Sequence, residues 1–391
     1  MILCLTKKKL KNLSNMVKFI ELSIIMPCLN EAETIANCIN KANTFLKKNK
    51  ISGEIIIGDN GSVDGSQQIA INLGATVVDV IEKGYGSATS GAISRAKGKY
   101  IITADTDDSH DLEYLMPFLE KLREGYDMVM GNRFKGKKIP GAMPFLHRYV
   151  GNPILTGIGN LFFKTNIGDF HCGLRGFTKS AFDKMDLQTT GMEFASEIVV
   201  KASLNNLSIT EVPTTVYPAG RSRKPHLRSF PDGWRHLRFL LLWSPKWLFF
   251  LPGFVLMLTG FLGALIMLWQ KENQFLNWLP LVMVLIIIGF QFYLFYGLTK
   301  IYAINHKIVP APKNYKSMFK FFNLERGLVL GIVIFLLSIT SLLIGYESNV
   351  SGLKSLRIIV PGSVFACIGI QIILFSFFFS ILGIGEQLNR K

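Results

Sequence analysis

Four stretches of this chain, Trp247 to Gln270, Phe275 to Thr299, Gly327 to Tyr346 and Ile358 to Gly385, contain no Asp, Glu, Lys or Arg. Each is long enough to cross a hydrocarbon core, which takes roughly 20 residues of helix. A buried core helix in a soluble protein would account for one such stretch, but not for four in succession. Trp247, Trp269 and Trp278 stand near the ends of the first two, where amphipathic rings favour the membrane interface. The sequence thus predicts a four-helix transmembrane domain over residues 247–391.

Charge divides the chain in the same place. Residues 1–246 hold 32 Lys and Arg against 23 Asp and Glu, and the remainder holds 11 against 4. The connection from Tyr302 to Arg326 carries Lys307, Lys313, Lys316, Lys320 and Arg326 against Glu325, whereas the one after Gln270 has one Lys and one Glu. The positive-inside tendency therefore places that loop, the N-terminal domain and both termini in the cytoplasm, with the spans in the cell membrane. The positive excess fits anionic lipid. No zinc-ligand spacing, RNA-binding aromatic signature or basic region with heptads points to nucleic acid. The five cysteines lack any C-x-x-C pair, so neither disulfides nor structural zinc is expected. Residues 1–20 read as a basic extension whose apolar runs are too short for a signal peptide, and Met16 offers a second possible start.

Between the extension and the spans, strands and helices alternate. Apolar β-type runs occur at Leu22 to Met26, Glu54 to Gly58, Ala75 to Ile81, Tyr100 to Ala104 and Met128 to Met130. Helical segments separate them at Glu31 to Lys48, through Leu73, at Ser87 to Ala96 and at Leu112 to Glu124. This alternation predicts an α/β, Rossmann-like domain over 21–220 with a mainly parallel sheet, and ligands beyond the carboxyl ends of its strands. Gly136 to Pro153 reads as irregular; a helix at Glu193 to Leu204 and a strand near Ile209 to Val212 follow. Residues 221–246, rich in Arg and aromatics, read as an amphipathic juxtamembrane segment lying along the headgroups.

Three clusters at strand ends carry the chemistry. Asp105 and Asp107, one residue apart after the strand at 100–104 and beside Asp108, suit a hard divalent cation that bridges diphosphate oxygens. Taken alone, an acidic triplet after a strand is more often a solvated turn or helix cap, so context has to decide. Asp59, in the run Asp59-Asn60-Gly61-Ser62-Val63-Asp64-Gly65, can accept hydrogen bonds from a base or ribose, although the run also reads as an ordinary turn. Lys83 and Gly84, opening a helix, can meet a phosphate through a lysine and free amides. The spacing of a dinucleotide fingerprint or P-loop is absent.

Together these clusters resemble the nucleotide-sugar domain of family 2 glycosyltransferases with the GT-A fold. That family's Pro-x-x-Asn-Glu pattern is matched by Pro27-Cys28-Leu29-Asn30-Glu31, its Asp-x-Gly-Ser-x-Asp-Gly pattern by Asp59 to Gly65, and its D-x-D motif by Asp105 and Asp107. Gly131-Asn132-Arg133, Asp169 to Phe177, Gly191 to Phe194 and Gly220 to His236 are similar to the polyprenyl-phosphate branch, the dolichyl-phosphate glucose and mannose synthases and their relatives. Asn60 stands where many relatives have Asp, and Thr106 and Asp108 depart from the usual small and apolar neighbours of the motif.

The resemblance implies an inverting transfer of a hexose, glucose or mannose, from a UDP- or GDP-sugar to dolichyl or undecaprenyl phosphate at the cytoplasmic face. It implies donor contacts from Pro27, Asn30, Glu31, Asp59, Asn60, Lys83, Gly84 and Asp105, and a divalent metal, Mg or Mn, on Asp105 and Asp107. A phosphate monoester has a second pKa of about 6, so the acceptor needs no strong base. It needs cationic forks instead, for which Arg133, Arg148, Arg175, Arg221 and Arg223 are candidates. Glu193 is expected to orient an arginine or a donor hydroxyl. Were the acceptor a sugar hydroxyl, Glu193, Glu197 or Asp169 would have to act as base. His110 and His171 are open to a ligand role, though lone histidines are mostly structural. A glycan-elongating transferase of the same family and a non-catalytic nucleotide-sensing scaffold are the competing readings. The four-helix tail is free to position lipid, to self-associate as a homo-oligomer or to recruit a partner.

Overall fold

The computed structural model describes residues 19–137, 139–223, 228–269, 275–306, 309, 315, 323–347 and 355–388. The N-terminal extension and most of the basic 302–326 connection lie outside the described residues. The chain forms two compact units whose boundary in sequence falls at Leu240 and Leu241.

The first unit is built on a seven-stranded sheet of order β3-β2-β1-β4-β6-β5-β7. β1 (Leu22–Cys28) pairs in parallel with β2 (Gly53–Asp59) and β4 (Tyr100–Thr103), and β2 pairs in parallel with β3 (Thr76–Asp79). All seven residues of β1 are buried, as a central strand covered on both faces requires. β6 (Arg175–Thr178) runs antiparallel to both β4 and β5 (Met128–Asn132), and β7 (Ile209–Pro213) closes the edge parallel to β5. The sheet is thus mostly parallel with one inverted strand. Because β2 and β4 flank β1, the order in which strands are added reverses there, and in sheets of this kind that switch point is where a crevice lies beyond the carboxyl ends, here those of β1 and β4.

Five helices of this unit are α1 (Ile35–Lys48), α2 (Ser66–Asn72), α3 (Tyr85–Ser94), α4 (Met116–Arg123) and α5 (Asn152–Phe163). They are followed by α6 (Lys179–Met185), α7 (Phe194–Leu204) and α8 (Ser229–Leu242). Most lie within the expected segments with trimmed ends. α1 starts four residues late because Glu31 to Thr34 form a turn, in which the amides of Thr34 and Ile35 both donate to Glu31 O. α5, β6 and α6 are new relative to the sequence expectation. α5 grows out of the stretch that reads as irregular: it continues a π-helical turn, His147–Gly151, with Pro153, which has no N–H to give, just past the junction, and Gly159 lets the Phe170 ring approach within 2.6 Å of where a Cβ would stand. β6 is only four residues long and shows no alternation to announce it.

The second unit holds α9 (Leu251–Trp269), α10 (Leu279–Asn305), α11 (Leu324–Glu347) and α12 (Leu356–Leu388). Four helical segments, Lys246–Trp269, Leu276–Asn305, Leu324–Glu347 and Leu356–Leu382, are long and apolar enough to cross a membrane. They pack as close pairs through glycines. A Cβ on Gly289 would lie 2.7 Å from Met257 N on α9, and one on Gly369 would lie 2.9 Å from Gly331 O on α11. Small residues at such crossings let helix backbones meet where lipid offers no hydrophobic drive for association.

Candidate active site

Asp59 ends β2 fully inside the protein. Its Oδ2 accepts from the amides of Gly61 (2.9 Å) and Ser62 (3.0 Å) and from Gln67 Nε2 (2.5 Å), whereas Oδ1 is buried with no protein partner. Burial pushes this carboxyl up, but the donors from Ser62, Gln67 and Gly61 outweigh it and hold the group below its ordinary range. A buried carboxylate oxygen without a donor is costly, so Oδ1 is poised for an N–H or O–H from a ligand. Asn60 is occupied otherwise. Its Nδ2 donates to the carbonyls of Val80 (3.0 Å) and Glu82 (2.8 Å), and its Oδ1 accepts from Gly84 N (2.7 Å). An Asp there could not donate to two carbonyls, which accounts for the amide. Lys83 Nζ donates to Asn60 O (2.6 Å). Gly84, at φ 134°, passes so close to Thr190 that a Cβ would lie 2.1 Å from its carbonyl oxygen.

Beyond β4 the acidic run divides by role. Thr106 ties the loop to its neighbours: its Oγ1 donates to Pro27 O (2.9 Å), and its carbonyl accepts from Thr34 Oγ1 (2.6 Å). Asp108, in the left-handed region at φ 60°, accepts from Asn37 Nδ2 (2.5 Å) and Lys41 Nζ (2.7 Å) on α1. Asp105 and Asp107 are left facing the crevice. Asp105 Oδ2 lies 3.5 Å from His110 Nε2. Burial raises the Asp105 carboxyl, while His110, with Arg133 and Arg175 farther off, brings it below its ordinary range. Gly173 passes against it, and a Cβ there would stand 2.2 Å from Asp105 Oδ2.

Arg221 and Arg223, expected on the acceptor phosphate, are placed at this crevice instead. Arg221 spans Glu31 Oε1 (Nη1, 2.5 Å) and Asp107 Oδ2 (Nη2, 3.1 Å). Arg223 reaches Glu31 Oε1 (2.5 Å) and donates to the carbonyls of Asn30 (2.9 Å) and Leu29 (3.0 Å). Asn30 clasps the Asp59 loop, its amide donating to Ser62 Oγ (2.8 Å) and its Oδ1 accepting from Val63 N (2.9 Å).

On the other side of Asp105, Arg133 forms a fork with the fully buried Asp169, Nε to Oδ2 at 2.6 Å and Nη2 to Oδ1 at 2.8 Å. Burial works against the Arg133 charge, and the Asp169 pairing overrides it, raising its pKa. Arg175 is enclosed: its guanidinium donates to three carbonyls, of Cys172 (2.7 Å), Ala195 (2.9 Å) and Phe170 (3.0 Å). Those bonds position the 169–175 turn beneath Arg133. Arg148 joins Arg133 and Lys137 in lining a pocket of about 260 Å³ whose other walls include Phe134, Ile139, Met143 and Tyr149. The Arg148 guanidinium lies 5.4 Å from the centre of the Tyr149 ring. Glu193 stands at the N-terminus of α7 with Oε2 buried and unpartnered. Glu197 is consumed by the amides of Gln188 and Thr189, the Thr189 hydroxyl and Lys201.

With this geometry in view, the similarities to known proteins fall into place. Residues 23–186 match the model of glycosyl transferase family 2, and residues 297–383 match the family 2 C-terminal transmembrane region. Over 373 residues the chain is 38% identical to the low-salt glycan biosynthesis hexosyltransferase Agl6 of Haloferax volcanii, covering 93% of this chain and 89% of that protein. This chain belongs to glycosyl transferase family 2. The dolichyl-phosphate hexose transferase of the same organism is 27% identical over 197 residues, 50% of this chain and 82% of that one. Among solved structures, glucosyl-3-phosphoglycerate synthase from Mycobacterium tuberculosis aligns with a TM-score of 0.46 at 19% identity, over 56% of this chain and 79% of that one.

The family 2 domain is a GT-A-type α/β unit, and with its four apolar helices the protein is a membrane-integral glycosyltransferase. Several residues of its site escaped sequence reasoning. Tyr85 closes over Asp105, its phenol raised by burial and by that carboxylate. Lys137 joins the arginine pocket from a stretch without regular pattern. Glu33 holds the loop bearing Arg221, accepting from Ser222 N and Ser222 Oγ, both at 2.6 Å. Glu33, two residues past the matched Asn30-Glu31 pair, and Tyr85, next to Gly84, lay within reach of a motif argument.

Proposed function

We propose that this family 2 enzyme transfers a hexose from a UDP- or GDP-sugar to a polyprenyl phosphate, dolichyl or undecaprenyl, at the cytoplasmic face of the membrane. The observation that carries the reading is the pocket beside Arg133. Three cations line one cavity with aromatic and aliphatic side chains, which suits a molecule with an anionic head and an apolar tail. The relationship to the dolichyl-phosphate hexose transferase supports the same acceptor class. The basic 302–326 connection supports the cytoplasmic face.

The donor's base and ribose lie against Asp59, whose unpartnered Oδ1 accepts a hydrogen bond from them. The diphosphate lies over Asp105 and Asp107. Among the described residues no group of three or more His, Cys, Asp and Glu is gathered as a metal site. Two carboxylates at a strand end nevertheless fit a cation that takes its remaining ligands from diphosphate and water, as Mg and Mn do at phosphate sites. Arg221, now on Asp107, marks where positive charge is needed. Asp105 and Asp107 would hold such a metal, which would supply positive charge against the departing diphosphate. Arg221 sits within reach to share that task, and Glu193 Oε2 is free to accept from a hydroxyl of the sugar.

On the acceptor side, Arg133 and Arg148 hold the phosphate so that one oxygen faces the anomeric carbon. Arg175 acts indirectly, by fixing the turn that carries Asp169. That oxygen is already ionised near neutrality, so no proton need be removed. Asp169 is committed to Arg133, and Glu197 to the 188–189 loop. Neither is free to serve as a base toward a sugar hydroxyl. Glu193 alone of the three keeps an unpartnered oxygen, which makes elongation on a hydroxyl acceptor the second reading.

The purified protein should be incubated with radiolabelled UDP- and GDP-hexoses, with undecaprenyl phosphate, dolichyl phosphate or an oligosaccharide, and with Mg, Mn or a chelator. Metal-dependent labelling of lipid is expected. Labelling of the oligosaccharide alone would replace this reading with elongation, and nucleotide binding without transfer to any acceptor would leave a non-catalytic scaffold.

A further inference from the structure

α8 carries two different faces. Phe230 and Trp234 are exposed, at 82% and 56%, with Arg235 and Arg238 also exposed, while Asp232, His236, Phe239 and Leu240 are buried. Apolar rings and cations on the open face are what an interfacial helix presents to headgroups. Its buried face contains a polar contact with no evident role in the chemistry. His236 Nδ1 lies 2.9 Å from Ser196 Oγ on α7, and Ser196 Oγ lies 3.3 Å from His171 Nε2. The two imidazole rings meet edge to face at 4.4 Å.

This cluster leads to Arg133. The backbone amide of His171 donates to Asp169 Oδ1 (3.3 Å), the oxygen that also accepts from Arg133 Nη2 (2.8 Å). At the other end of α8, Ser229 Oγ lies 2.8 Å from the Nε2 of His147, the neighbour of Arg148. One helix therefore touches the segments bearing both arginines of the pocket. We propose that His236 is a positioning residue: through Ser196 and His171 it sets the Asp169–Arg133 fork for the acceptor phosphate, coupling the seat of α8 to the readiness of the pocket. The inference rests on reading that pocket as the acceptor site.

The chemistry of the cluster favours such a role over simple packing. Burial keeps both imidazoles neutral: His171 lies well below its ordinary pKa, with His236, Arg133 and Arg175 adding to the effect, and His236 falls to about 4, with Arg175 adding and Asp232 on α8 opposing. Two neutral rings and one hydroxyl form a single directional chain. His171 Nε2–H donates to Ser196 Oγ, and the Ser196 hydroxyl donates to His236 Nδ1. The reverse order would strand a buried N–H at His171 Nδ1, which has no partner. An apolar contact would bury the helix equally well but accept many rotations of it, whereas this chain is satisfied in one.

The test uses the full-length protein in liposomes of phosphatidylcholine and phosphatidylglycerol containing undecaprenyl phosphate, with the donor that wild type uses. His236→Ala is expected to raise the KM for undecaprenyl phosphate about tenfold, leaving the donor KM within about twofold. His236→Asn, whose Oδ1 stands where Nδ1 stands and accepts from Ser196, is expected to restore the acceptor KM to within about threefold of wild type. An unchanged acceptor KM in His236→Ala overturns the inference. So does a parallel rise of both KM values, or an Asn variant no better than Ala at equal unfolding midpoints. Dolichyl phosphate replaces undecaprenyl phosphate throughout where wild type labels it instead, and if wild type labels neither lipid, the proposed function falls and the inference with it. If wild type labels lipid and the variants behave alike, only the inference falls.

Discussion

At the scale of single residues, the acidic run after β4 shows how neighbouring carboxylates acquire different work. Asp108 is bound to Asn37 and Lys41 of α1, whereas Asp107 accepts from Arg221 and Ser109 and Asp105 lies beside His110. Asp107→Ala is therefore expected to lower sugar transfer by about 100- to 1,000-fold, the scale for losing one preorganised charge-stabilising group. Asp108→Ala should leave transfer within about threefold and lower the unfolding midpoint, since a half-buried pair is worth roughly 1 kcal/mol. Initial rates and thermal unfolding of the two variants check this, and equal loss of transfer in both would undo the division of roles. Gly173 makes a second test. A methyl there would stand 2.2 Å from Asp105 Oδ2 and must displace that carboxylate. Gly173→Ala should cost about 100-fold in nucleoside diphosphate release, the order reached when a reacting geometry shifts by an ångström.

Among elements, α8 is the one whose sequence and structure most need each other. Its alternation of Trp, Arg and His gives an amphipathic helix, but only the fold shows that His236 faces α7. Because His236 is buried neutral with a pKa near 4, against 6.5 in an unfolded chain, the unfolded state binds more protons between those values. Stability therefore rises with pH through this window and is lost as pH falls from about 6.5 toward 4, with no further change from this group below that. The unfolding midpoint of wild type in detergent, followed from pH 7 to pH 4.5, should drop more steeply than that of His236→Asn. Parallel curves would mean that this histidine does not set the acid sensitivity.

The whole molecule joins a family 2 glycosyltransferase domain to four apolar helices, and the orientation proposed for it rests on the charge of the connections. Lys313→Cys, in the basic connection, is expected to resist a membrane-impermeant maleimide added outside intact cells and to react after permeabilisation. Labelling in intact cells would invert the topology and place the catalytic domain on the outer face. The same orientation predicts that nucleotide-sugar supplied only outside sealed right-side-out vesicles supports no transfer.

The spans, their charge bias, the parallel core of the sheet and the strand-end motifs were all legible in the chain itself. Hydrocarbon thickness, side-chain alternation and turn chemistry act over a few residues and leave their mark locally. The inverted β6, the enclosure of Arg175 by three carbonyls, the turning of Arg221 onto Asp107 and the gathering of Arg133, Lys137 and Arg148 were decided only in three dimensions. Each joins segments far apart in sequence, and a cation's choice between a carboxylate, a carbonyl and a ligand depends on which of them the packed backbone brings within hydrogen-bond reach.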